Sequence, residues 1–211
     1  MATATATIKL DVKDFKAEVP PDWCPGCGDF GVLNALFRAC AELEIHPHEM
    51  LVVSGIGCSS NLPGFIKSYG IHSLHGRALP FATGAKLANH ALTVIATGGD
   101  GDGYGIGLNH FIQAMRRNIN LTYIVMNNEV YGLTTGQVSP TSEVGMKTKT
   151  KVRVARKPRK NPYGMIDFSF GDIKYQINPS RRKVYHRWVE VETRKSALIM
   201  GAFSSAVAIA K

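Results

Sequence analysis

The sequence predicts an α/β fold: a mostly parallel sheet with helices on both faces, followed by a carboxyl-terminal part that is incomplete or irregular. Short, continuous apolar segments alternate with segments whose apolar residues recur at helical spacing, a pattern typical of a sheet buried on both faces. The alternation stops close to Thr150, where the charge balance also changes. With 211 residues, the chain is long enough to bury one substantial core.

Helical spacing of apolar residues predicts three helices, at Gly28–Leu43, Gly76–Ala91 and Asn109–Arg117. In the first helix, Val32, Leu36 and Cys40 recur at intervals of four residues and define one apolar face. The second helix is rich in glycine and alanine, so we expect it to pack closely on its neighbours.

Three buried strands are predicted between these helices, at Met50–Gly57, Leu92–Asp102 and Leu121–Gly132. Each is a short apolar run that ends in a glycine turn or a polar loop. Ligands of parallel sheets collect at the carboxyl ends of the strands. These ends carry the segments GIGCSS, TGGDGD and MNNEVYG, and we expect the binding site there.

The charge distribution divides the chain close to Thr150. Residues 1–150 hold 11 Lys and Arg against 12 Asp and Glu, and residues 151–211 hold 14 against 4, so the net charge of +9 comes entirely from the second part. We therefore predict a folded domain over residues 1–150. We predict a basic, atypical segment over residues 151–211, for which poor folding is an open alternative. Residues 181–195 have the composition of a lone strand, but no pattern places them on the sheet.

Targeting signals are not recognisable in the sequence. The apolar run at residues 196–210 is shorter than the roughly 20 residues that a membrane span needs. The first residues lack the basic stretch and apolar core of a secretory signal. We expect a cytoplasmic protein that does not enter a membrane.

All four cysteines lie in the first 60 residues. Cys24 and Cys27 form a CxxC pair on a turn, and Cys58 follows a predicted strand. In a cytoplasmic protein such cysteines are more often reduced thiols or metal ligands than disulfides, and this trio suits zinc or an iron–sulfur cluster. A thioredoxin-type redox pair and a purely structural role are the alternatives. Cys40 is assigned to the core because it lies on the apolar helix face.

The most specific motif is GGDGD at residues 98–102, followed by an Asn pair at residues 127–128. A diphosphate held by Mg²⁺ needs hard oxygen ligands in octahedral geometry. The Asp100 carboxylate, the Asn128 amide oxygen and the Val130 carbonyl offer three of them. This spacing resembles the thiamine diphosphate motif, and the alternative is a glycine-rich turn beside an unrelated polar loop. A dinucleotide site is rejected because the glycines do not follow the GxGxxG phase.

Five motifs in order extend the resemblance to a family: WCPGCGDFGVLNAL, GIGCSSNLPGF, HSLHGRALPFATGAKLAN, TGGDGDGYGIGLNHFIQAMRRN and NNEVYGLTTGQVSPT. Together, from Trp23 to Thr150, they resemble the β subunit of 2-oxoacid:ferredoxin oxidoreductases. The resemblance implies a thiamine diphosphate-binding fold and oxidative decarboxylation of a 2-oxo acid such as pyruvate or 2-oxoglutarate. It also implies coenzyme A as acyl acceptor, ferredoxin as electron acceptor, and an α subunit without which the chain is inactive.

The same resemblance implies roles for individual residues. Those that match ligands of a 4Fe-4S cluster are Cys24, Cys27 and Cys58. Those that match contacts to thiamine diphosphate are Ile56, Gly57, Cys58, Ser59 and His75, and His75 is also the candidate catalytic residue. Those that match the diphosphate cradle are Gly101, Asp102, Gly132 and Leu133. Those that match Mg²⁺ ligands are Asp100, Asn128 and Val130. Without the family, His75 would be interpreted as a solvated or capping residue.

Two departures from the family leave alternatives open. Asn61 stands where many 2-oxoglutarate-accepting relatives carry a basic residue, which favours a monocarboxylic oxo acid unless Lys67 or Arg77 substitutes. The family continues after residue 150 with further elements and a fourth cluster cysteine, which this chain lacks. A shifted reading frame or truncated gene is the first explanation, a divergent tail the second, and a nucleic-acid-binding arm an unlikely third. The whole-protein alternatives are a non-redox thiamine diphosphate decarboxylase and an inactive gene product.

Overall fold

The structure, a computed structural model, describes residues 9–143 and 146–147 and the backbone of residues 187–192. Its main sheet contains the parallel strands β1 (Met50–Ser54), β2 (Tyr69–His72), β3 (Thr93–Gly99), β4 (Thr122–Asn127) and β7 (Arg187–Glu192). Their order across the sheet is β2-β1-β3-β4-β7. The predicted parallel sheet is confirmed.

Helices cover both faces of this sheet, as the sequence predicts. They are α1 (Asp29–Glu42), α2 (Ala78–Ala88) and α3 (Leu108–Arg117). Alternate residues of a strand point to opposite faces, so β1 contributes to two cores. Met50 and Val52 pack in the core that contains the apolar face of α1, whereas Leu51 and Val53 pack in the core that contains residues of α2 and α3.

The predicted strands and the first two predicted helices are longer than the observed ones because the turns at their ends were included in them, whereas α3 is observed one residue longer than predicted. The strand predicted to run to Gly132 ends at Asn127, and the chain then turns through Glu129, whose φ is +59°. Val130–Tyr131 forms the separate strand β5, which pairs antiparallel with β6 (Gln137–Val138). Strand β2 was not predicted, because it is a mostly exposed edge strand without an apolar run.

The lone strand considered within residues 181–195 is observed as β7. It lies beside β4, in register from Thr122 opposite Arg187 to Asn127 opposite Glu192. The local pattern showed only that a strand was compatible with the sequence, and the position at the sheet edge follows from pairing with β4. The other expectations for residues 151–211, including the altered reading frame and the basic arm, lie outside the described residues.

Across the residues that the structure describes, no helix combines the length and apolar character needed to cross a bilayer.

Candidate cofactor site

The carboxyl ends of β1, β3 and β4 open onto a cavity of about 360 Å³. This is the edge at which parallel sheets bind their ligands. All the residues to which the sequence assigned a cofactor, metal or catalytic role line this one cavity: Cys24, Cys27, Ile56, Gly57, Cys58, Ser59, His75, Asp100, Gly101, Asp102, Asn128, Val130, Gly132 and Leu133. The fold therefore brings together residues that are up to 109 positions apart in the chain, while their individual roles stay predictions.

One side of the cavity, here termed the strand end, is formed by Asp100, Gly101, Asn128 and Val130. Gly99 of β3 lies opposite Met126 of β4, so the residues that follow them emerge at adjacent strand tips. Asp100 is 1% exposed. Its Oδ2 accepts a hydrogen bond from the Thr141 hydroxyl at 2.5 Å.

The two asparagines after β4 have different surroundings. Asn127 is buried, and its Oδ1 accepts a hydrogen bond from the Glu129 amide at 3.0 Å and lies 2.9 Å from Oγ1 of Thr141. Asn128 lines the cavity, and its Oδ1 accepts from the Val130 amide at 3.1 Å. The first asparagine therefore fixes the turn, and the second presents its amide to the cavity.

Asp102 connects three segments of the cavity wall. Its Oδ1 accepts hydrogen bonds from the amides of Ile56 at 3.0 Å and Gly76 at 2.7 Å, and it lies 2.6 Å from Nδ1 of His75. The side chain is only 2% exposed. Asp102, which the resemblance places in the diphosphate cradle, thus forms hydrogen bonds within the protein.

Glycine at position 101 is required by the close approach of Tyr131. A Cβ atom at Gly101 would lie 2.3 Å from Cε1 of Tyr131, well inside van der Waals contact. The Tyr131 hydroxyl donates to the Gly101 carbonyl at 3.1 Å, and the ring lies edge-on to His75. Burial raises the pKa of the Tyr131 hydroxyl, and the neighbouring charges of Asp100 and Asp102 raise it further.

The opposite side of the cavity, here termed the cysteine end, is formed by Cys24, Cys27, Asp29 and Cys58. The indole N–H of Trp23 donates to the Cys58 carbonyl at 2.7 Å and thereby connects the two loops that carry the cysteines. Burial is the main cause that raises the pKa of the Cys27 and Cys58 thiols, and the charge of Asp29 adds to it.

Asp29 is a buried carboxyl group at the first residue of α1. Burial raises its pKa to about 6, although a hydrogen bond with Cys27 acts in the opposite direction. Within the described part of the chain, no three His, Cys, Asp or Glu side chains form a group that could hold a metal ion. The cysteine end therefore gathers the predicted cysteines without arranging them as a closed metal site.

The fourth cysteine lies away from the cavity, as the sequence predicts. Cys40 is 1% exposed, its Sγ contacts Sδ of Met50 at 3.6 Å, and burial raises its pKa to about 12. This thiol belongs to the core.

Sequence reasoning missed three residues of the site, Asp29, Tyr131 and Thr141. They lie within the quoted motifs, but their spacing does not show that they contact Cys27, Gly101 and Asp100. Asn61, considered for substrate choice, is not among the residues that line the cavity, and its amide donates to Asp22 at 3.4 Å.

The sequence matches the family described as "Thiamine pyrophosphate enzyme, C-terminal TPP binding domain" over residues 53–171. The chain belongs to this thiamine pyrophosphate enzyme family. The matched region contains the whole strand end of the cavity and Cys58 of the cysteine end.

Known proteins specify the branch of the family. The chain is 55% identical over 139 residues to 2-oxoacid:ferredoxin oxidoreductase 1, subunit beta, of Aeropyrum pernix, covering 66% of this chain and 44% of that protein. It is 46% identical over 165 residues to the 2-oxoglutarate oxidoreductase subunit KorB of Mycobacterium tuberculosis, covering 78% and 42%. The chain thus spans less than half the length of these relatives. Its resemblance to the β subunits of 2-oxoacid:ferredoxin oxidoreductases, predicted from the motifs, is confirmed.

A solved structure supports the same relationship. The 2-oxoglutarate:ferredoxin oxidoreductase from Magnetococcus marinus, with 2-oxoglutarate, coenzyme A and succinyl-CoA bound, matches with a TM-score of 0.69 and 47% sequence identity. The match covers 75% of this chain and 54% of that one. At this identity the likeness extends beyond the fold to the family.

Proposed function

We propose that this chain acts as the β subunit of a 2-oxoacid:ferredoxin oxidoreductase, binding thiamine diphosphate with Mg²⁺ at the strand end and part of a 4Fe-4S cluster at the cysteine end. One observation carries the proposal: Asp100 and Asn128, 28 residues apart in the chain, line one cavity at adjacent strand tips. The family match identifies the cofactor class, and the cavity supplies the residues.

The strand end fits a metal-bound diphosphate. The Asp100 carboxylate, the Asn128 amide oxygen and the Val130 carbonyl are the hard oxygen donors that Mg²⁺ prefers. Gly101, Gly132 and Leu133 line the same cavity. We assign these three residues to the diphosphate cradle.

When bound, thiamine diphosphate supplies the electron sink for decarboxylation of a 2-oxo acid. The protein has to bind and orient it and keep water away. Ile56, Gly57 and Ser59 line the cavity from the loop after β1, and His75 lines it from the loop after β2. We assign the first three to cofactor contact and His75 to proton handling beside the reacting atoms.

The cysteine end offers three thiols as ligands for part of a cluster, which would have to draw them together because they are not arranged as a metal site. Cys24, Cys27 and Cys58 line the same cavity. Burial raises the pKa of the Cys27 and Cys58 thiols, and the charge of Cys24 raises both further, an effect that bound iron would reverse. Three thiolates are one short of the four that such a cluster requires. Because Cys40 is in the core, the fourth ligand has to come from outside the cysteines of this sequence.

The names of the relatives and the motif resemblance together support the rest of the proposed reaction. We assign to this protein the oxidative decarboxylation of a 2-oxo acid such as pyruvate or 2-oxoglutarate, with coenzyme A as acyl acceptor and ferredoxin as electron acceptor. An α subunit completes the site, and we expect no turnover without it. The membrane and nucleic acids have no part in this proposal.

A non-redox thiamine diphosphate decarboxylase is the second candidate. One observation favours it, since the described cysteines and carboxylates do not form a metal-binding group. Anaerobic purification of the full chain distinguishes the two candidates. Iron and sulfide that copurify with the wild type, are lost in Cys58→Ser and persist in Cys40→Ala support the cluster, whereas a colourless, iron-free wild type supports the decarboxylase.

Calorimetric titration of the full chain with thiamine diphosphate, with and without Mg²⁺, tests the strand end. We expect Mg²⁺-dependent binding by the wild type and by Glu18→Ala, which removes an exposed acid elsewhere. We expect a loss of about 100-fold or more in Asp100→Ala, because metal ligands of this kind dominate diphosphate affinity. Equal affinity of wild type and Asp100→Ala contradicts the proposed function.

A further inference from the structure

Three hydrogen-bond donors converge on a single oxygen of Asp102. The amides of Ile56 and Gly76 and the Nδ1 atom of His75 all lie within 3.0 Å of Oδ1. The carboxylate also lies against the backbone of Gly55, where an added Cβ would lie 2.1 Å from Oδ2 and 2.4 Å from Oδ1. The close packing at Gly55 and the three donors together hold the carboxylate in this position.

This arrangement determines where the proton of His75 lies. Backbone amides can only donate hydrogen bonds, so Oδ1 acts as an acceptor toward Ile56 and Gly76. An oxygen that already accepts two hydrogen bonds does not donate a third, and at 2.6 Å the contact with Nδ1 is a hydrogen bond. Nδ1 of His75 therefore carries the hydrogen.

We propose that Asp102 is a positioning residue that holds His75 as the Nδ1–H tautomer and leaves the lone pair of Nε2 available to the molecule in the cavity. The tautomer of a histidine is set by the hydrogen bond that its other nitrogen makes. His75 lines the cavity, and its Nε2 has no partner among the residues that the structure describes. The contact fixes a hydrogen on Nδ1 in the neutral and in the doubly protonated ring alike, and in the neutral ring Nε2 is an acceptor and a proton-accepting base.

The same contacts connect the loop after β1 with the loop after β2, both of which line the cavity. Ile56 belongs to the loop after β1 and His75 to the loop after β2, and Asp102 follows β3. One buried carboxylate therefore fixes the relative positions of segments from three neighbouring strands. This assignment differs from a direct contact with diphosphate, in which two negatively charged groups would face each other.

The identity of the molecule that meets Nε2 rests on the proposed function, but the tautomer does not. Two-bond ¹H–¹⁵N spectra of the full chain, with His75 assigned through His75→Asn, report which nitrogen is protonated. We expect the Nδ1–H pattern in the wild type and in the surface control Glu18→Gln. We expect its loss in Asp102→Ala, because free imidazole favours the Nε2–H form.

If Asp102→Ala does not fold, Asp102→Leu decides, because it retains a branched side chain of similar size and removes both acceptor oxygens. A larger share of Nε2–H in this variant supports the proposal, and a spectrum identical to the wild type overturns it. An Nε2–H pattern in the wild type overturns it as well.

Titration with thiamine diphosphate and Mg²⁺, followed in one sample by calorimetry and by the Nε2 resonance, separates the two proposals. Binding that shifts the Nε2 resonance supports both. Binding that leaves the Nε2 resonance unchanged contradicts the proposed contact between Nε2 and the bound molecule. An Nδ1–H tautomer without detectable binding contradicts the proposed function and leaves the role of Asp102 supported.

Discussion

At the strand end of the cavity the polar side chains are held by hydrogen bonds, whereas at the cysteine end they lie side by side with little to hold them. Asp100 accepts a hydrogen bond from Thr141, and Asn128 accepts one from the Val130 amide. At the cysteine end the indole N–H of Trp23 connects the two loops, and the pKa of the buried Asp29 carboxyl is raised to about 6.

This contrast indicates how each end binds its ligand. A group whose polar atoms are already oriented loses little further freedom on binding, and metal-binding residues usually depend on such support. If the strand end binds a metal as proposed, we therefore expect it to do so with little rearrangement. At the cysteine end, burial disfavours the charged forms of the thiols and of Asp29, and a positively charged iron centre would stabilise the thiolates. We therefore expect the cysteine end to become ordered around its ligand only when the ligand is present.

The largest expected effect is a loss of stability when a methyl group is added to a glycine at the strand end, compared with the cysteine end. Gly101→Ala places a Cβ atom 2.3 Å from the Tyr131 ring, and we expect a loss of up to about 3 kcal/mol in unfolding free energy from overpacking. At the cysteine end, Gly26 has open space around it and a φ of +79°, so Gly26→Ala should cost only about 1 kcal/mol through backbone strain. Urea denaturation measures both.

Gly84→Ala is the control for these two variants. Gly84 lies within α2 and has no atom within 4 Å of an added Cβ, so we expect a small gain in stability. Equal losses in Gly101→Ala and Gly26→Ala would show that the two ends do not differ in packing.

Next in size is the support that Thr141 gives to Asp100. Thr141→Val removes the hydroxyl that donates to Oδ2, and loss of such a partner typically weakens metal binding about 10- to 100-fold. Thr141→Ser retains the hydroxyl and should bind nearly as the wild type does. Calorimetric titration with thiamine diphosphate at several Mg²⁺ concentrations measures the difference, and unchanged binding in Thr141→Val would refute the idea of a preformed strand end.

A pH dependence of stability is expected from Asp29. Because its folded pKa of about 6 lies above the ordinary value of 3.8 for this group, the folded state holds a proton that the unfolded state releases between these values. Stability from this group is therefore present at low pH and is lost as pH rises through about 6. The loss amounts to about 2 kcal/mol between roughly pH 4.5 and 7.5.

Asp29→Asn cannot ionise, so its stability relative to the wild type should rise over the same interval. Urea denaturation of the iron-free chain at the two pH values measures this change. A difference in unfolding free energy between variant and wild type that stays constant with pH would mean that ionisation of Asp29 does not destabilise the fold.

The smallest effect is expected for Trp23. Trp23→Phe retains an aromatic ring between Phe30 and Phe65 and removes the hydrogen bond to the Cys58 carbonyl, which should cost about 1 kcal/mol. We expect the Cys58 thiol to react faster with an alkylating reagent, since its loop is no longer connected to Cys24. An unchanged rate would show that other contacts hold the cysteine loops.

Local sequence patterns were sufficient for the buried strands and for α1, because their apolar spacing follows directly from burial on the sheet. They were insufficient for β2, an exposed edge strand, and for β7, whose place depends on hydrogen bonds to β4. The end of β4 was placed too late, because Val130 and Tyr131, which favour strands, follow the polar turn and form the separate strand β5.

The motifs were enough to predict the family, many of the cavity-lining residues and the side of the sheet on which they lie, because motifs at the ends of parallel strands have to meet at one edge. Which of these residues support the others follows only from the folded arrangement. That Asp102 contacts His75 and not only the cavity, and that Thr141 contacts Asp100, depends on distances of about 2.5–3 Å between distant segments. Such distances are set by strand register and packing, which spacing along the chain does not encode.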